Sequence, residues 1–484
     1  MNASTGSAAI PRPRVLDGLL LAVVLAVALA LRVVDLGRRP MHADEANQAV
    51  KVGRLLEGGG YRYDPSEHHG PTLYYLALIS ARLRGQATLA SLSETTVRLV
   101  PALAGTAVVA LLWLLLRPWG RGPAFTAALL LAVAPASVYY SRYFVQETLL
   151  VTFSLGALAA GLSWWRRGGV GWAATTGMCF GLMLATKETA LFFAAAALVA
   201  LATGRRAGSG RRITAGEAVA SLGAAVLVAA VFFASFGANP GGLRDALTAP
   251  VTMLGRATAG VSGHEKPWWY YGSLFVWQRN GGYLWDQTLF ILPALAGLAL
   301  AVRLRGLPRF LAAYTAIIWL VLSATPYKAP WLVINLVPGL CALAALALAR
   351  CPRPVGLVLG LLVLVALGWQ TREAVFQRPA DPRNPFAYVH STPDVKKVPA
   401  LAAAAPPGPV KVISREYWPL PWYLRRRPEV GYWTSPPTDC DGALVFVEAQ
   451  LAGAVRARMH GNYHEGFLGL RPGFVLVVFQ REGP

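Results

Sequence analysis

Residues 165–206 read WRRGGVGWAATTGMCFGLMLATKETALFFAAAALVALATGRR. Two apolar blocks, 170–186 and 189–204, stand between three polar markers: Arg166-Arg167, Lys187-Glu188 and Arg205-Arg206. About 18 or more apolar residues carry a helix through the hydrocarbon of a bilayer, and these blocks approach that length. Short basic loops stay on the cytoplasmic side, so the two arginine pairs share one face and Lys187-Glu188 lies on the other. Thr186-Lys187-Glu188-Thr189 breaks a run that is otherwise apolar from Gly177 to Ala202. Ionisable groups at that depth must face a cavity or the headgroup region.

The same pattern extends in both directions. Candidate spans are 16–36, 97–117, 122–141, 148–165, 170–186, 189–204, 214–236, 287–303, 308–324, 331–350 and 354–371. With Arg12 and Arg14 in the cytoplasm, every second connection should be cytoplasmic. Those connections carry Arg117 and Arg121, Arg166 and Arg167, Arg205 through Arg212, Arg303 through Arg309, and Arg350 and Arg353. All are short and basic, as the positive-inside rule requires. The expectation is an all-α polytopic protein of the plasma (inner) membrane with about eleven transmembrane helices and a cytoplasmic N-terminus.

Composition agrees. Of 484 residues, 55% are hydrophobic and 14% charged, against roughly 25% charged in a soluble domain. The net charge of +21 resides mostly in the short loops and does not call for nucleic acid as a partner. The run Leu16–Val34 is long for the h-region of a signal peptide, about 7–15 residues, and reads as an uncleaved anchor. Cys179 and Cys341 lie inside apolar blocks, Cys351 ends one, and Cys440 stands alone. That spacing gives neither a disulfide framework nor a zinc site.

Residues 1–372 form the membrane unit in this reading. Pro71–Leu83 is apolar but short, and counting it as a span would invert every later loop, so it reads as an interfacial helix. Residues 373–409 read as a linker rich in proline. Residues 410–484 then read as a small α/β domain outside the cytoplasm, with strand-like runs at Val410–Ser414, Ala443–Val447 and Phe474–Phe479.

Before residue 372, only Asp17 and Glu217 among the carboxylates fall on the cytoplasmic side; almost every other one falls on the outer face. Acidic residues contribute little to topology, so this gathering is separate information. Asp44-Glu45 follows the first span. Such a pair is either a solvated loop pair or, partly desolvated at the membrane rim, a source of a general base. Glu67-His68-His69-Gly70-Pro71 opens the interfacial helix; adjacent histidines lack helical ligand spacing, so no metal site is read. Arg142 and Glu147 lie in a tight turn, either as a pair that closes it or as functional charges. His264, Lys266, Tyr327, Lys328 and Trp331 belong to aromatic clusters that suit an interfacial belt, yet each cluster contains a lysine. Only seven of the 45 basic residues are lysines, and Lys187, Lys266 and Lys328 all mark outer connections. Lysine is a good point-charge partner for phosphate.

In this order, these residues resemble the GT-C membrane glycosyltransferases that use polyprenyl-phosphate-linked sugars. That superfamily includes the protein O-mannosyltransferases and the bacterial aminoarabinose and mannose transferases. The resemblance rests on Asp44-Glu45, His69-Gly70-Pro71, Arg98-Leu99-Val100-Pro101-Ala102-Leu103 and the Tyr140–Glu147 turn. Tyr327-Lys328-Ala329-Pro330-Trp331-Leu332 and Glu416-Tyr417-Trp418-Pro419-Leu420-Pro421-Trp422-Tyr423 bring it nearest to a flippase-activity-associated subgroup named after archaeal N-glycosylation. His69-Gly-Pro stands where relatives more often have His-Pro-Pro, and Glu147 where many have aspartate.

The resemblance implies an inverting transfer from a polyprenyl-phosphate-linked sugar to a glycan, lipid or protein acceptor at the outer face of the bilayer. It implies Asp44 as the base, with Glu45 and Glu147 orienting acceptor or base. The charge argument assigns Arg142, Lys187 and Lys328 to the leaving phosphate, and His69, Glu188, His264, Lys266, Tyr327 and Trp331 to substrate contacts. No cofactor is called for, and a divalent metal is left open. Two rival readings are a transporter or flippase component for a lipid-linked sugar and a non-catalytic scaffold. The first lacks a clear inverted repeat and mid-membrane charges. The second leaves Lys187-Glu188 and the other outer-face charges unexplained.

Overall fold

A computed structural model describes residues 14–65, 69–204, 212–258 and 265–482. His264 and the basic stretch 205–211 lie outside the described residues. Each of the eleven apolar segments holds a helix. In chain order the helices up to residue 258 are α1 (Arg14–Val33), α2 (Ala43–Leu56), α3 (Thr72–Leu83), α4 (Glu94–Leu116), α5 (Arg121–Val133), α6 (Pro135–Tyr140), α7 (Glu147–Arg167), α8 (Val170–Leu184), α9 (Ala190–Gly204), α10 (Ala215–Phe233) and α11 (Gly242–Thr258). After them come α12 (Tyr270–Ser273), a hairpin of β1 (Gln278–Asn280) and β2 (Tyr283–Trp285), then α13 (Thr288–Arg303), α14 (Leu307–Ala324), α15 (Val337–Leu348) and α16 (Arg353–Thr371). Among the described residues, five helices are long and apolar enough to cross a membrane: Glu94–Trp119, Glu147–Arg167, Ala215–Phe233, Leu307–Ala324 and Arg353–Gln377.

Capping and small residues explain the packing. Thr214 and Glu217 close a capping box on α10, and Ser93 caps α4, each satisfying amides the first turn leaves open. A Cβ at Gly177 of α8 would lie 1.9 Å from the Ser221 carbonyl oxygen of α10, and one at Gly297 of α13 would lie 1.8 Å from that of Leu343 in α15. Small residues at these crossings let helix backbones touch, the packing that apolar solvent favours. Leu222, Val226 and Leu227 of α10, and Leu357, Leu361 and Val365 of α16, face outward, as lipid-facing side chains do.

Three segments are less regular than the hydropathy pattern suggests. The block 122–141 divides into α5 and α6 at Pro135, which has no N–H to continue the ladder. The block 331–350 starts as a 3-10 turn, Pro330–Asn335, before α15. The last apolar helix runs into a π-helical turn at Arg372–Gln377.

The helix over 71–83 appears as α3, packed between α2 and α4. Two further helices, α2 and α11, occupy stretches read as loop. Residues 373–409 lie packed on the helices: Tyr139 and Tyr140 donate to the carbonyls of Pro379 and Phe386, and Lys396 donates to those of Gly37 and Arg38. That stretch also forms a short helix, α17 (Val398–Ala404).

The remaining chain forms a five-stranded sheet. Its strands are β3 (Val410–Ile413), β4 (Val430–Trp433), β5 (Leu444–Glu448), β6 (Tyr463–Arg471) and β7 (Phe474–Arg481), in spatial order β4-β3-β5-β7-β6. β3 runs parallel to β4 and β5; β7 runs antiparallel to β5 and β6. β4 and β6 are strands beyond the three that the sequence pattern marks. The helix α18 (Leu420–Tyr423) docks this unit beside α2: the Trp422 indole donates to Glu94 at 2.9 Å, and the Tyr423 hydroxyl accepts from the Met41 amide at 2.9 Å.

Candidate functional site

α2 starts at Ala43 because His42 caps it. The His42 Nδ1 accepts from the Asp44 amide at 3.1 Å, and the Glu45 carboxylate accepts from the His42 amide at 3.1 Å. This is a capping box with histidine in the capping position. Asp44 and Glu45 therefore both sit in the first turn, where the helix dipole favours negative charge. Their surroundings differ completely.

Glu45 is fully buried. Arg98 of α4 donates to both its oxygens at 2.8 Å, Arg39 donates at 3.2 Å, and the Phe144 amide donates at 2.9 Å. The remaining Arg98 donors go to the carbonyls of Leu36, Arg39 and Pro40. Burial alone would raise the Glu45 carboxyl, but the charges of Arg98 and Arg39 hold it well below the usual carboxylate range. Its acceptor capacity is occupied by fixed protein donors. Asp44 instead keeps 49% of its side chain exposed, with the His42 ring at 3.8 Å.

Glu147 opens α7 and pairs with Lys187, which follows α8; both are buried. Glu188, the next residue, accepts from Tyr63 at 2.7 Å and lies 2.9 Å from His69 Nδ1. Burial opposes its charge, but the bonds from His69 and Tyr63 bring the carboxyl down to about 2. Gly70 allows this approach, because a Cβ there would lie 2.2 Å from the Ala185 carbonyl oxygen. Glycine in place of the commoner proline thus lets the His69 segment lie against the end of α8, where the Thr72 and Thr186 hydroxyls meet at 2.7 Å.

The segments 265–266 and 326–328 pair with each other. Glu265 and Tyr327 form an antiparallel bridge, and the Lys266 amide donates to the Pro326 carbonyl at 3.2 Å. Lys328 is buried and donates to the carbonyls of Thr325 and of Lys266, the latter at 3.1 Å. Burial pushes its ammonium below the ordinary lysine range. The Tyr327 hydroxyl is pushed up to about 12, first by burial and then by the charges of Asp44 and Glu147. Tyr327 thus stands within electrostatic reach of both carboxylates. Trp331 packs on Tyr143 (6.1 Å between centroids), His42 (6.0 Å) and Tyr388 (6.3 Å), and the Lys266 ammonium lies 5.3 Å from the Tyr388 ring centroid.

Arg142 turns elsewhere. Its guanidinium donates to the carbonyls of Leu31 and Asp35 at 3.1 Å each and stacks 5.0 Å from the Phe376 ring. It stands at the end of α1, while Lys187 holds Glu147.

A profile of the family described as dolichyl-phosphate-mannose-protein mannosyltransferase matches residues 68–238. The chain also superposes on ArnT from Cupriavidus metallidurans, with a TM-score of 0.68 over 97% of this chain and 99% of that one in its complex with undecaprenyl phosphate. The apo form of the same protein gives 0.69 over 96% and 98%. Sequence identity is 16% in both cases, so the likeness is one of fold. The Archaeoglobus fulgidus oligosaccharyltransferase tethered to an acceptor peptide gives a TM-score of 0.53 at 13% identity, over 94% of this chain and 74% of that one. The chain thus has the ArnT fold, and residues 68–238 match the mannosyltransferase family. No curated protein matches it by sequence.

The rim of the site includes a residue that sequence reasoning missed. His390, in the stretch read as linker, lies 5.6 Å from His42 between ring centroids. Nε2 of each ring is buried, and the Tyr388 backbone lies near His42. Burial lowers both imidazoles, and the Arg39 charge adds to it, with Asp44 and Glu45 opposing at His42. Nothing in the local sequence marks His390, since only the fold returns that stretch to α2.

Proposed function

We propose that this glycosyltransferase moves a sugar from a polyprenyl-phosphate-linked donor to a hydroxyl of a glycan, lipid or protein acceptor on the extracytoplasmic face, with inversion. The observation that carries the reading is the contrast between adjacent carboxylates. Glu45 is consumed by Arg98 and Arg39, while Asp44 is left half-exposed next to His42, and its charge, with that of Glu147, reaches Tyr327.

Asp44 is the base in this reading. The acceptor oxygen attacks the anomeric carbon and gives its proton to Asp44. The bond from that carbon to the phosphate oxygen breaks, and the phosphate leaves with the electron pair. Charge therefore grows on the phosphate in the transition state, where a fixed cation stabilises it most. Lys328 suits that task, because an ammonium has three donors and the carbonyls of Thr325 and Lys266 take two. Lys187 is a second cation, tempered by Glu147. Glu45 acts by holding the turn that presents Asp44, and is a positioning residue. The undecaprenyl phosphate of the ArnT complex and the acceptor peptide of the oligosaccharyltransferase support the class of donor and the breadth of acceptors.

The test is sugar transfer by purified protein from a polyprenyl-phosphate donor supplied on the outer leaflet. A transferase forms product there and loses it in Asp44→Asn. A flippase component carries out no transfer, so purified wild-type protein that forms no product from that donor would reject the reading.

A further inference from the structure

The turn between α1 and α2, residues 34–42, is neither helix nor strand. No ladder of its own fixes its path, and Asp35 stands in it at φ 54°, a conformation that a non-glycine residue keeps only when its surroundings impose it. Side chains from elsewhere do the fixing. The carbonyls of Asp35, Leu36, Gly37, Arg38, Arg39 and Pro40 each accept from a cation. Arg142 donates to Asp35, Arg98 to Leu36, Arg39 and Pro40, and Lys396 to Gly37 and Arg38 at 3.1 and 3.0 Å. The next backbone donor, the buried Met41 amide, bonds the Tyr423 hydroxyl at 2.9 Å. The capping box of His42 and Glu45 then opens the helix that carries Asp44.

Two of these holds come from beyond residue 372. Tyr423 ends the run 416–423 that the sequence singles out, 382 positions from Met41. It is buried, on a short helix that is itself anchored: the Trp422 indole bonds Glu94, and Arg425 donates to the Leu92 carbonyl at 2.9 Å. The hydroxyl therefore meets the turn from a rigid base. Lys396 is exposed, and its partners are the two carbonyls of the turn that Arg98 and Arg142 leave open. A group that takes a proton in the transition state has to be held within about 0.5 Å of its working position, by neighbours that are themselves locked.

We propose that the chain beyond residue 372 completes the site, with Tyr423 and Lys396 as positioning residues that set the turn from which Asp44 works. The inference rests on Asp44 as the base. It makes the sheet domain and its preceding stretch part of the catalytic unit, joined to the base through the backbone of residues 37–41. Tyr423 acts through Asp44, so its loss slows the chemical step and leaves donor binding alone.

The experiment compares Tyr423→Phe, Lys396→Met and Asp44→Asn in the purified full chain, with the undecaprenyl-phosphate-linked sugar on which the wild type turns over. Arg427→Met is the control: it removes a hydrogen bond to the Pro406 carbonyl within the same unit and none to the turn. Per folded molecule, Tyr423→Phe should lose about tenfold in kcat at unchanged donor KM, the scale of a small misplacement of a reacting group. Backbone hydrogen exchange over residues 37–47 should quicken in it. Lys396→Met should move kcat in the same direction by less, and it carries the test alone if Tyr423→Phe does not fold. Arg427→Met should keep the wild-type kcat. Loss of turnover in Asp44→Asn with wild-type kcat in Tyr423→Phe and Lys396→Met overturns this inference alone, as does an equal loss in Arg427→Met. Wild-type turnover in Asp44→Asn overturns the base, and this inference with it.

Discussion

In the layer formed by α2, α3 and the ends of α4, α7 and α8, ion pairs are withdrawn from water. Glu45 with Arg98, and Glu147 with Lys187, are buried on both sides, and Glu188 is buried against His69. In the sheet of β3 to β7 the pairs reach solvent. Asp439 facing Lys411 keeps 72% of its side chain exposed, His460 facing Asp441 keeps 86%, and Glu416 facing Arg471 keeps 54%. A buried charge that loses its partner is left without water or counterion. A surface pair is screened, and contributes about 0–1 kcal/mol. The first layer therefore holds its shape through a few charges it cannot lose, whereas the sheet holds its shape through its apolar core. Against that fixed background, Asp44 stands out as a carboxylate kept half in water.

The largest stability effect is expected at Glu45. Glu45→Gln leaves Arg98 and Arg39 facing a neutral amide, and unfolding should become easier by about 3–5 kcal/mol, read by denaturant or thermal unfolding in detergent. A loss below about 1 kcal/mol would remove the contrast between the two regions. Next comes Lys328→Met. If Lys328 meets the developing phosphate charge, kcat per folded molecule should fall about a hundredfold. A change confined to KM would mean that its charge acts equally on bound donor and transition state.

Acid should affect the first layer through its histidines. An unfolded histidine titrates near about 6.5, while His42 and His390 titrate lower in the folded protein. Below about pH 6.5 the unfolded chain takes up protons first. The stability these residues contribute is present above that pH and is lost progressively as pH falls toward their folded values. The unfolding midpoint should drop between pH 7.5 and 5.5, both ordinary assay values near that about 6.5 reference, and His390→Asn should flatten the drop. The smallest effect is expected in the sheet, where Glu416→Gln, on the exposed pair with Arg471, should alter stability by no more than about 0.5 kcal/mol. A large loss there would show that the sheet also depends on its charges.

The helices were legible because each apolar block exceeds what a soluble helix needs on one face, so hydropathy alone marks it. α2 was not. Its buried side is Glu45, Ala46, Ala49, Val52 and Gly53, a face too small and too polar to read as core. β6 escaped for a related reason, since only Leu468 and Leu470 of its nine residues are fully buried. At the site, Asp44, Glu147, Lys187 and Lys328 could be singled out as ionisable breaks between apolar segments. The division of labour between Asp44 and Glu45 could not, because it depends on Arg98, 53 positions away. Arg142 was grouped with the lysines by charge, but the chain directs it to the carbonyls at the end of α1. His390 became visible only when the proline-rich stretch was seen folded back on α2.

The division between the two neighbouring carboxylates is tested most directly by Asp44→Asn and Glu45→Gln side by side, each measured for unfolding midpoint and for sugar transfer per folded molecule. Asp44→Asn should keep the wild-type midpoint and lose about 10²–10⁴-fold in kcat, the range of a general base. Glu45→Gln should lose its midpoint first. Wild-type turnover in a folded Asp44→Asn protein would contradict the account.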